Sequence, residues 1–374
     1  MGIEHQLQPD NIKGKPRVVV AMSGGVDSSV TAALLAQEGY DVIGIMMRLW
    51  CAPSSGGPVV QNRCCTPNQI AVARRVADKL GIRLYVIDVQ DHFFKSVVQY
   101  FINGHIRGET PNPCIACNKH IRFDYLLEQA LSLGADYLAT GHYARIFNKH
   151  GVYQILKAKD NRKDQSYVLY VLQQYQLQHL IFPIGDYTKN EVKEIAEQFD
   201  LNVSAQDESM DLCFLTDGDY RKFLRARIPG EIKPGPIADQ SGHLLGVHKG
   251  LQYYTIGQRK GLGIASNRPL YVLSKKIEGN KIIVGPHESL GRKALVASEV
   301  NWLSGEFPDR ASGITVKIRY TADPVPASIR QMDNERLMIR FEQPVYGITA
   351  GQAAVIYQEY NCLGGGLITD EVIS

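Results

Sequence analysis

Arg17-Val18-Val19-Val20-Ala21-Met22-Ser23-Gly24-Gly25-Val26-Asp27-Ser28-Ser29 reads as a short β-branched strand, a glycine turn and a helix that starts at the serines. Adjacent glycines let a backbone turn sharply and approach an anion with no Cβ in the way. The first N–H groups of the following helix lack intrahelical partners. With the helix dipole they form a site suited to phosphate or pyrophosphate, and Ser23, Ser28 and Ser29 add hydroxyl donors. The common nucleotide loop GxxxxGK[ST] is absent, and no lysine ends this turn.

Outward from the loop, strand and helix alternate. The helix after it carries Val30, Leu34 and Leu35 on one side and stops at Gly39. Residues 41–47 form a second strand. The stretch CAPSSGGPVVQNRCCTP is too rich in Gly, Pro and Ser to be regular, and Thr66-Pro67 opens a helix that ends at Gly81. Strands at 82–89 and 136–140 and helices at 92–105 and 117–133 continue the pattern. Such alternation implies a doubly wound, Rossmann-like parallel sheet, whose ligands sit beyond the carboxyl ends of the strands. Thr188-Lys189-Asn190-Glu191 is a capping box opening a further helix. From Gly230 onward, short apolar runs separated by Gly or Pro turns have all-β spacing. The expected division is an α/β domain at 1–217, a central β module at 218–287 and a C-terminal β-barrel domain at 288–374.

A chain of 374 residues with 44% hydrophobic and 21% charged positions is ordinary globular material of two or three domains. No apolar run approaches the ~18 residues of a membrane span. The start, MGIEHQLQPDNIKGK, has no signal-peptide core and reads as a disordered lead-in to a cytoplasmic protein with no membrane partner. Charge is segregated. Residues 221–293 hold fourteen Lys and Arg against four Asp and Glu, a surplus of ten. With +3 for the whole chain, the remainder carries seven more acids than bases. A basic module of this kind suits a polyanion.

Seven cysteines, an odd number in a long chain, do not suggest a secreted disulfide framework. Cys114 and Cys117 form a C-x-x-C in Thr110-Pro111-Asn112-Pro113-Cys114-Ile115-Ala116-Cys117, where two prolines favour an extended approach. Cys117 is expected at a helix start, which favours a thiolate. Cys213 lies far off, in Glu208-Ser209-Met210-Asp211-Leu212-Cys213-Phe214. Cys51, Cys64 and Cys65 lack the spacing of a metal site and read as loop thiols.

SGGVDSS resembles the PP-loop of ATP pyrophosphatases, which split ATP between its α and β phosphates. Together SGGVDSS, TPNPC-x-x-CN, ATGHYAR, KDQSY, ES-x-D-LCF and YYTIGQRKGLGI follow the order seen in tRNA-specific 2-thiouridylases, the MnmA family. The resemblance runs from about residue 17 to the end. It implies a PP-loop domain followed by two β domains, and replacement of the C2 oxygen of the wobble uridine of a tRNA by sulfur. ATP with Mg²⁺ would adenylate that oxygen, with Ala21, Met22, Ser23, Gly24, Gly25, Val26, Asp27 and Ser28 at the phosphates and Met47 and Gly141 near the adenine nucleotide. Cys213 matches the persulfide carrier and Cys117 the nucleophile that completes transfer. Asn112, Pro113 and Cys114 match the turn receiving the flipped base, and His142, Lys163, Asp164, Gln165, Arg319, Tyr320 and Gln352 match positions touching tRNA. The implied partners are tRNAs for Lys, Glu and Gln and a cysteine desulfurase or sulfur-relay protein. Some members carry aspartate at Cys114, a natural acid/base; here a thiol does that work, another group does, or none is needed. Cys114, Cys117 and Cys213 also make a three-thiolate set of the kind that holds an iron–sulfur cluster, an alternative to the persulfide route. A PP-loop synthetase of a small metabolite would need neither the cysteine pair nor the basic module, and a non-catalytic tRNA binder would not need the intact loop.

Overall fold

The computed structural model describes residues 15–52, 66–201, 203, 212–215, 218–308 and 312–371. The lead-in, Cys64, Cys65 and residues 208–211 of the ES-x-D-LCF motif lie outside the described residues. The first strands are β1 (Arg17–Met22), β2 (Asp41–Arg48), β3 (Arg83–Asp88), β4 (Tyr137–Ala139), β5 (Ala144–Lys149), β6 (Val152–Lys157) and β7 (Leu180–Ile181). Among the described residues, five of them make a parallel sheet in the order β3-β2-β1-β4-β7.

The helices are α1 (Val26–Gln37), α2 (Pro67–Leu80), α3, α4, α5 (Gln174–Leu177), α6 (Lys189–Gln198) and α7 (Tyr220–Arg227). Both α3 and α4 are continuous but change winding. In α3 a π-wound segment, Phe94–Val98, joins Gln90–Phe93 to Gln99–Ile106. In α4 a π-wound segment, Asn118–Tyr125, joins Pro113–Cys117 to Leu126–Ser132. Such insertions cluster at functional sites.

Side chains alternate across the sheet. Val18, Val20 and Met22 pack with Val30 and Leu34 of α1, Val76 of α2 and Val192 of α6. Val19, Ile43 and Ile45 face the other way, onto Leu126 and Leu127 of α4. Helix ends follow the local chemistry. Thr66 and Gln69 form a reciprocal capping box at α2, which ends at the left-handed Gly81. Thr188 and Glu191 do the same at the start of α6.

The second half is β structure: β8 (Gly235–Ala238), β9 (Leu244–His248), β10 (Tyr271–Lys276), β11 (Lys281–Gly285), β12 (Gly291–Trp302), β13 (Ile314–Lys317), β14 (Val325–Gln331), β15 (Leu337–Tyr346), β16 (Ala353–Gln358) and β17 (Asn361–Ile368). The first four form a small sheet in the order β10-β11-β8-β9. In the order β12-β15-β14-β13-β16-β17 the rest run antiparallel, and pairing of β12 with β17 closes them into a barrel of six described strands. The hairpin of β5 and β6 is added to β17 rather than to the parallel sheet. It ties the first domain to the barrel, and Leu303, Ala353, Val355 and Tyr357 share one apolar cluster with Val19 and Phe123.

The central module is held against α3 and α7 by a second shared cluster, with Phe101, Phe223, Tyr253, Val272 and Ile282 in its interior. His105 lies there, 4% exposed, stacked on Tyr220 at 5.3 Å and edge-on to Phe101 at 4.5 Å. Its Nδ1 has no hydrogen-bond partner in the described structure. Burial, then the charge of Lys275, pushes its pKa down to about 3. The unfolded chain therefore binds a proton below about pH 6.5 that the folded chain refuses, so stability is full above pH 6.5 and falls as pH drops towards 3. By pH 5 this single group removes about 2 kcal/mol. His105→Phe is expected to narrow the drop in thermal midpoint between pH 7 and pH 5; an unchanged drop would remove His105 as its source.

Candidate active site

The loop 23–25 leaves β1 at the carboxyl edge of the sheet, where the strand order reverses between β1 and β4. Gly24 takes φ +75°, and a Cβ there would stand 2.6 Å from the Gln69 carbonyl oxygen of α2. Gly25 caps α1, and its carbonyl accepts the hydroxyls of Ser28 at 3.1 Å and Ser29 at 2.9 Å. The Ser23 N–H donates to Ser28 Oγ at 3.2 Å. The loop is thus braced by its own serines while Ser23 stays exposed.

Gly141, after β4, packs directly on this turn: its Cβ would lie 3.0 Å from the Asp27 carbonyl carbon and the Ser28 nitrogen. Met47, near the end of β2, is half-buried at the same edge. The residues expected to hold a nucleotide therefore come from the carboxyl ends of three neighbouring strands. Sequence reading missed two side chains at this point. The Tyr143 hydroxyl donates to Asp27 Oδ1 at 2.8 Å, and Lys189 Nζ lies 2.7 and 2.8 Å from the two carboxylate oxygens. Lys189 was visible only as the first residue of a capped helix; nothing in its local sequence ties it to a loop 162 residues away.

The cysteine helix starts earlier than expected. The reading at 117–133 took both prolines as extended. Only Pro111 precedes the helix, whereas Pro113 occupies its first position, where a missing N–H costs nothing. Asn112 caps it, its Oδ1 accepting the N–H of Cys114 at 3.1 Å and of Ile115 at 3.4 Å. The helix-start argument thus applies to exposed Cys114, the second helical residue, and not to Cys117, which is one turn in and 7% exposed. Alkylation of the native protein with iodoacetamide should label Cys114 well before Cys117, read by peptide mass mapping; equal rates would contradict this arrangement.

Cys117 belongs to the apolar cluster of Leu49, Val89, Phe93 and Phe214, and half-buried Cys213 packs against it. The Ala52 N–H donates to the Phe214 carbonyl at 3.2 Å, holding the end of the β2 loop, with Cys51, beside the Cys213 segment. Among the described residues no three His, Cys, Asp or Glu side chains are grouped to hold a metal ion. Cys114, Cys117 and Cys213 are all described. Cys114 is exposed, Cys117 buried and Cys213 half-buried.

The other positions divide by burial. Arg319 and Tyr320 are exposed at the end of β13, with Tyr320 edge-on to Tyr167 at 6.1 Å and the Lys317 ammonium above both rings. Lys163 and Gln165 are half-buried; Gln165 braces Tyr143 by exchanging backbone and side-chain hydrogen bonds at 2.8 and 2.9 Å. Gln352 donates to the Thr110 carbonyl at 2.7 Å, and Thr110 N–H to Ala350, so the barrel props up the turn before Asn112. The side chains of His142 and Asp164 are interior. His142 accepts or donates at Thr140 Oγ1 (2.6 Å), and burial, reinforced by Arg122, holds its pKa well below the ordinary value. Asp164 accepts the Ala158 N–H, the Ser166 N–H and the Ser166 hydroxyl.

The basic segment is mostly outside. Arg221, Lys222, Arg225 and Arg227 are exposed on α7, with Arg227 above the Trp50 ring at 4.9 Å. Lys275 is one of the half-buried members: burial lowers its pKa to about 8, and it donates to the Tyr254 carbonyl at 2.9 Å. No described helix is long and apolar enough to cross a membrane.

Comparison with known proteins gives three family matches along the chain. They are a tRNA methyl transferase HUP domain at residues 16–217, a tRNA methyl transferase PRC-barrel domain at 221–286 and an aminomethyltransferase beta-barrel domain at 292–368. The chain is 46% identical over 361 residues to the tRNA-specific 2-thiouridylase MnmA of Carboxydothermus hydrogenoformans, covering 96% of this chain and 99% of that one. It is 47% identical over 353 residues to the MnmA of Moorella thermoacetica, covering 94% and 98%. The MnmA of Clostridium perfringens is 44% identical over 354 residues, covering 95% and 98%. With identity of this order running nearly end to end through loop, cysteine helix, central module and barrel, the chain belongs to the tRNA-specific 2-thiouridylase family.

Proposed function

We infer that this protein forms 2-thiouridine in tRNA, activating the C2 oxygen of wobble uridine 34 with ATP and delivering sulfur from a cysteine persulfide. The observation that supports the reading is that the loop leaves β1 at the carboxyl edge of the sheet, where Leu49 after β2 and Val89 after β3 share one apolar cluster with Cys117 and with Cys213 packed against it. The phosphate-type loop suits the departing pyrophosphate, since an anion is favoured at a helix start. Asp27 and the serine hydroxyls are hard oxygen donors of the kind Mg²⁺ prefers, so the residues present fit that ion. When bound, Mg²⁺ shields the charge of the polyphosphate.

Chemistry then runs through the thiols. The terminal sulfur of a Cys213 persulfide attacks C2 and the oxygen departs with AMP. The Cys117 thiolate next attacks Cys213 Sγ, breaking the S–S bond to the substrate and leaving a thiocarbonyl on uridine and a Cys117–Cys213 disulfide. A thiol reductant resets the pair. Because Cys117 is buried here, the cluster around it must open for this step. The target base must leave the anticodon stack, and a single-stranded loop makes that inexpensive. Exposed Arg319 and Tyr320 and the basic face of α7 supply phosphate contacts and a stacking surface. The residue ranges 1–217, 218–287 and 288–374 remain the proposed division of labour between catalysis and RNA binding. Sulfur comes from a cysteine desulfurase or a relay protein, and the substrates are tRNAs for Lys, Glu and Gln.

Methyl transfer, the activity in the descriptions of the matched domains, would leave the cysteine pair and the phosphate-type loop without a task. An assay with unmodified tRNA, ATP, a cysteine desulfurase with cysteine as sulfur source, and S-adenosylmethionine as methyl donor separates the two. Consumption of ATP to AMP and pyrophosphate that depends on tRNA supports thiolation. A methylated nucleoside formed without ATP would replace it.

A further inference from the structure

The turn 109–112, which leads into α4, is gripped from two sides. On one side stands the barrel, whose β15–β16 connection runs from Gly347 to Gln352. The Thr110 N–H donates to the Ala350 carbonyl at 2.9 Å, and Gln352 Nε2 donates to the Thr110 carbonyl at 2.7 Å. The Thr110 hydroxyl is buried with no hydrogen-bond partner in the described structure, so the barrel holds this residue by its backbone. Between the two bonds, a Cβ on Gly351 would stand 2.9 Å from Glu109 Cβ and 3.1 Å from the Thr110 nitrogen. On the other side stands α3. A Cβ on buried Gly104 would lie 2.8 Å from Pro111 Cγ, and the Glu109 N–H donates to the Gly104 carbonyl at 2.9 Å. The same barrel connection begins beside exposed Arg319, whose Nη1 would be 3.5 Å from a Cβ on Gly347. A Cβ on Gly257, in the YYTIGQRKGLGI stretch of the central module, would lie 3.9 Å from Gly347 Cα. One short connection thus meets the base-receiving turn, the exposed arginine and the central module.

We propose that Gln352 is a positioning residue for sulfur transfer: by fixing Thr110 it sets the turn Asn112–Cys114 in register with the cysteine pair, so that the barrel's hold on RNA and capture of the target base are one event. The proposal rests on the thiolation reading and on Asn112–Cys114 as the turn that receives the base. A donor and an acceptor bond on one residue fix both its place and its orientation. Gln352 is itself anchored, since its carbonyl accepts the Ile368 N–H of β17 at 2.8 Å. Its amide N–H is committed to Thr110, so its effect on the reaction runs through the turn. Two residues beyond Thr110, Asn112 caps α4 through the N–H groups of Cys114 and Ile115. The residue between them is Pro111, whose φ is locked by its ring and which is backed by Gly104. A shift at Thr110 is therefore passed to the cap and to the start of the cysteine helix. Misplacing reacting groups by about 1 Å costs on the order of a hundredfold in rate.

The test compares wild type with Gln352→Met, a change of similar size and no charge whose side chain cannot donate to the Thr110 carbonyl. Three quantities are read on the full-length protein. They are the affinity for unmodified tRNA by filter binding, the rate of iodoacetamide labelling at Cys114, and kcat for 2-thiouridine at saturating tRNA with Mg²⁺-ATP, a cysteine desulfurase and cysteine. The expected result is a kcat lower by roughly ten- to hundredfold at tRNA affinity within about twofold of wild type. Cys114 labelling should quicken several-fold as its cap at Asn112 loosens. Weakened tRNA binding with kcat and labelling held would make Gln352 an RNA contact alone and overturn the proposal. Lost turnover with unchanged labelling overturns it too, because the turn has then not moved. Should Gln352→Met not fold, Gly104→Ala presses on Pro111 from inside the catalytic half and is expected to give the same signature; wild-type kcat and labelling in that variant overturn the proposal. A wild type that forms no 2-thiouridine overturns the thiolation reading and the proposal with it, whereas the other outcomes leave that reading standing.

Discussion

Cys213→Ser is expected to abolish sulfur incorporation into tRNA, to below about a thousandth of the wild-type rate, because a hydroxyl cannot carry a persulfide and the proposed mechanism has no second route to the site. Tyr143, Asp27 and the loop are untouched by the change, so tRNA-dependent adenylation with release of pyrophosphate is expected to persist, while AMP, which leaves only on sulfur attack, is not released. Cys117→Ser gives a different phenotype. The persulfide still attacks C2, yet nothing then breaks the sulfur–sulfur bond between the base and Cys213. A tRNA–protein adduct accumulates, visible as a slow band on a denaturing gel and released by dithiothreitol. An adduct in neither variant, with thiolation retained in Cys117→Ser, would dismiss Cys117 from the pathway and reopen a role for exposed Cys114.

Gly24→Ala should remove nucleotide binding while leaving the rest of the protein folded. Positive φ costs a residue with a Cβ about 1–3 kcal/mol. The larger difficulty is contact, since the new atom would sit 2.6 Å from the Gln69 carbonyl oxygen. That carbonyl belongs to the first turn of α2, whose cap is held by the Thr66–Gln69 exchange at 3.0 and 3.2 Å. The loop must therefore yield, and the serine hydroxyls and helix N–H groups leave their places. ATP affinity is expected to fall by more than about tenfold. Gly39→Ala is the control, because its φ is +89° but nothing lies within 4 Å of the added Cβ. It should lower the thermal midpoint and spare ATP binding. The same loss of ATP in both variants would mean that backbone strain, and not the loop's position against α2, is responsible.

The parallel sheet was legible because its signals are local: β-branched runs at 17–22 and 41–48, helix stops at Gly39 and Gly81, and a capping box at Thr188 each specify an element without reference to the rest. All-β structure in the second half was expected from strand spacing, though the hairpin of β5 and β6 was not expected to join the barrel. Its partner, Asn361, lies more than two hundred residues downstream of Leu156, and register with a distant strand leaves no mark on the hairpin itself. The start of α4 failed for a specific reason, since proline favours the residue before it extended and also fills the first helical position. Sequence cannot decide between those roles at Pro111 and Pro113. Motif matching marked His142 and Asp164 as positions that touch tRNA, but it carries no information on their burial, which tertiary packing sets. Lys189 and Tyr143 escaped because an ion pair between two distant segments has no sequence signature.

The most direct test of the account is mass spectrometry of nucleosides from unmodified tRNA incubated anaerobically with this protein, Mg²⁺-ATP, a cysteine desulfurase and cysteine. The account predicts 2-thiouridine at position 34, dependent on ATP and absent with Cys213→Ser. Unmodified uridine from the wild type, alongside a desulfurase shown to be active, would contradict it.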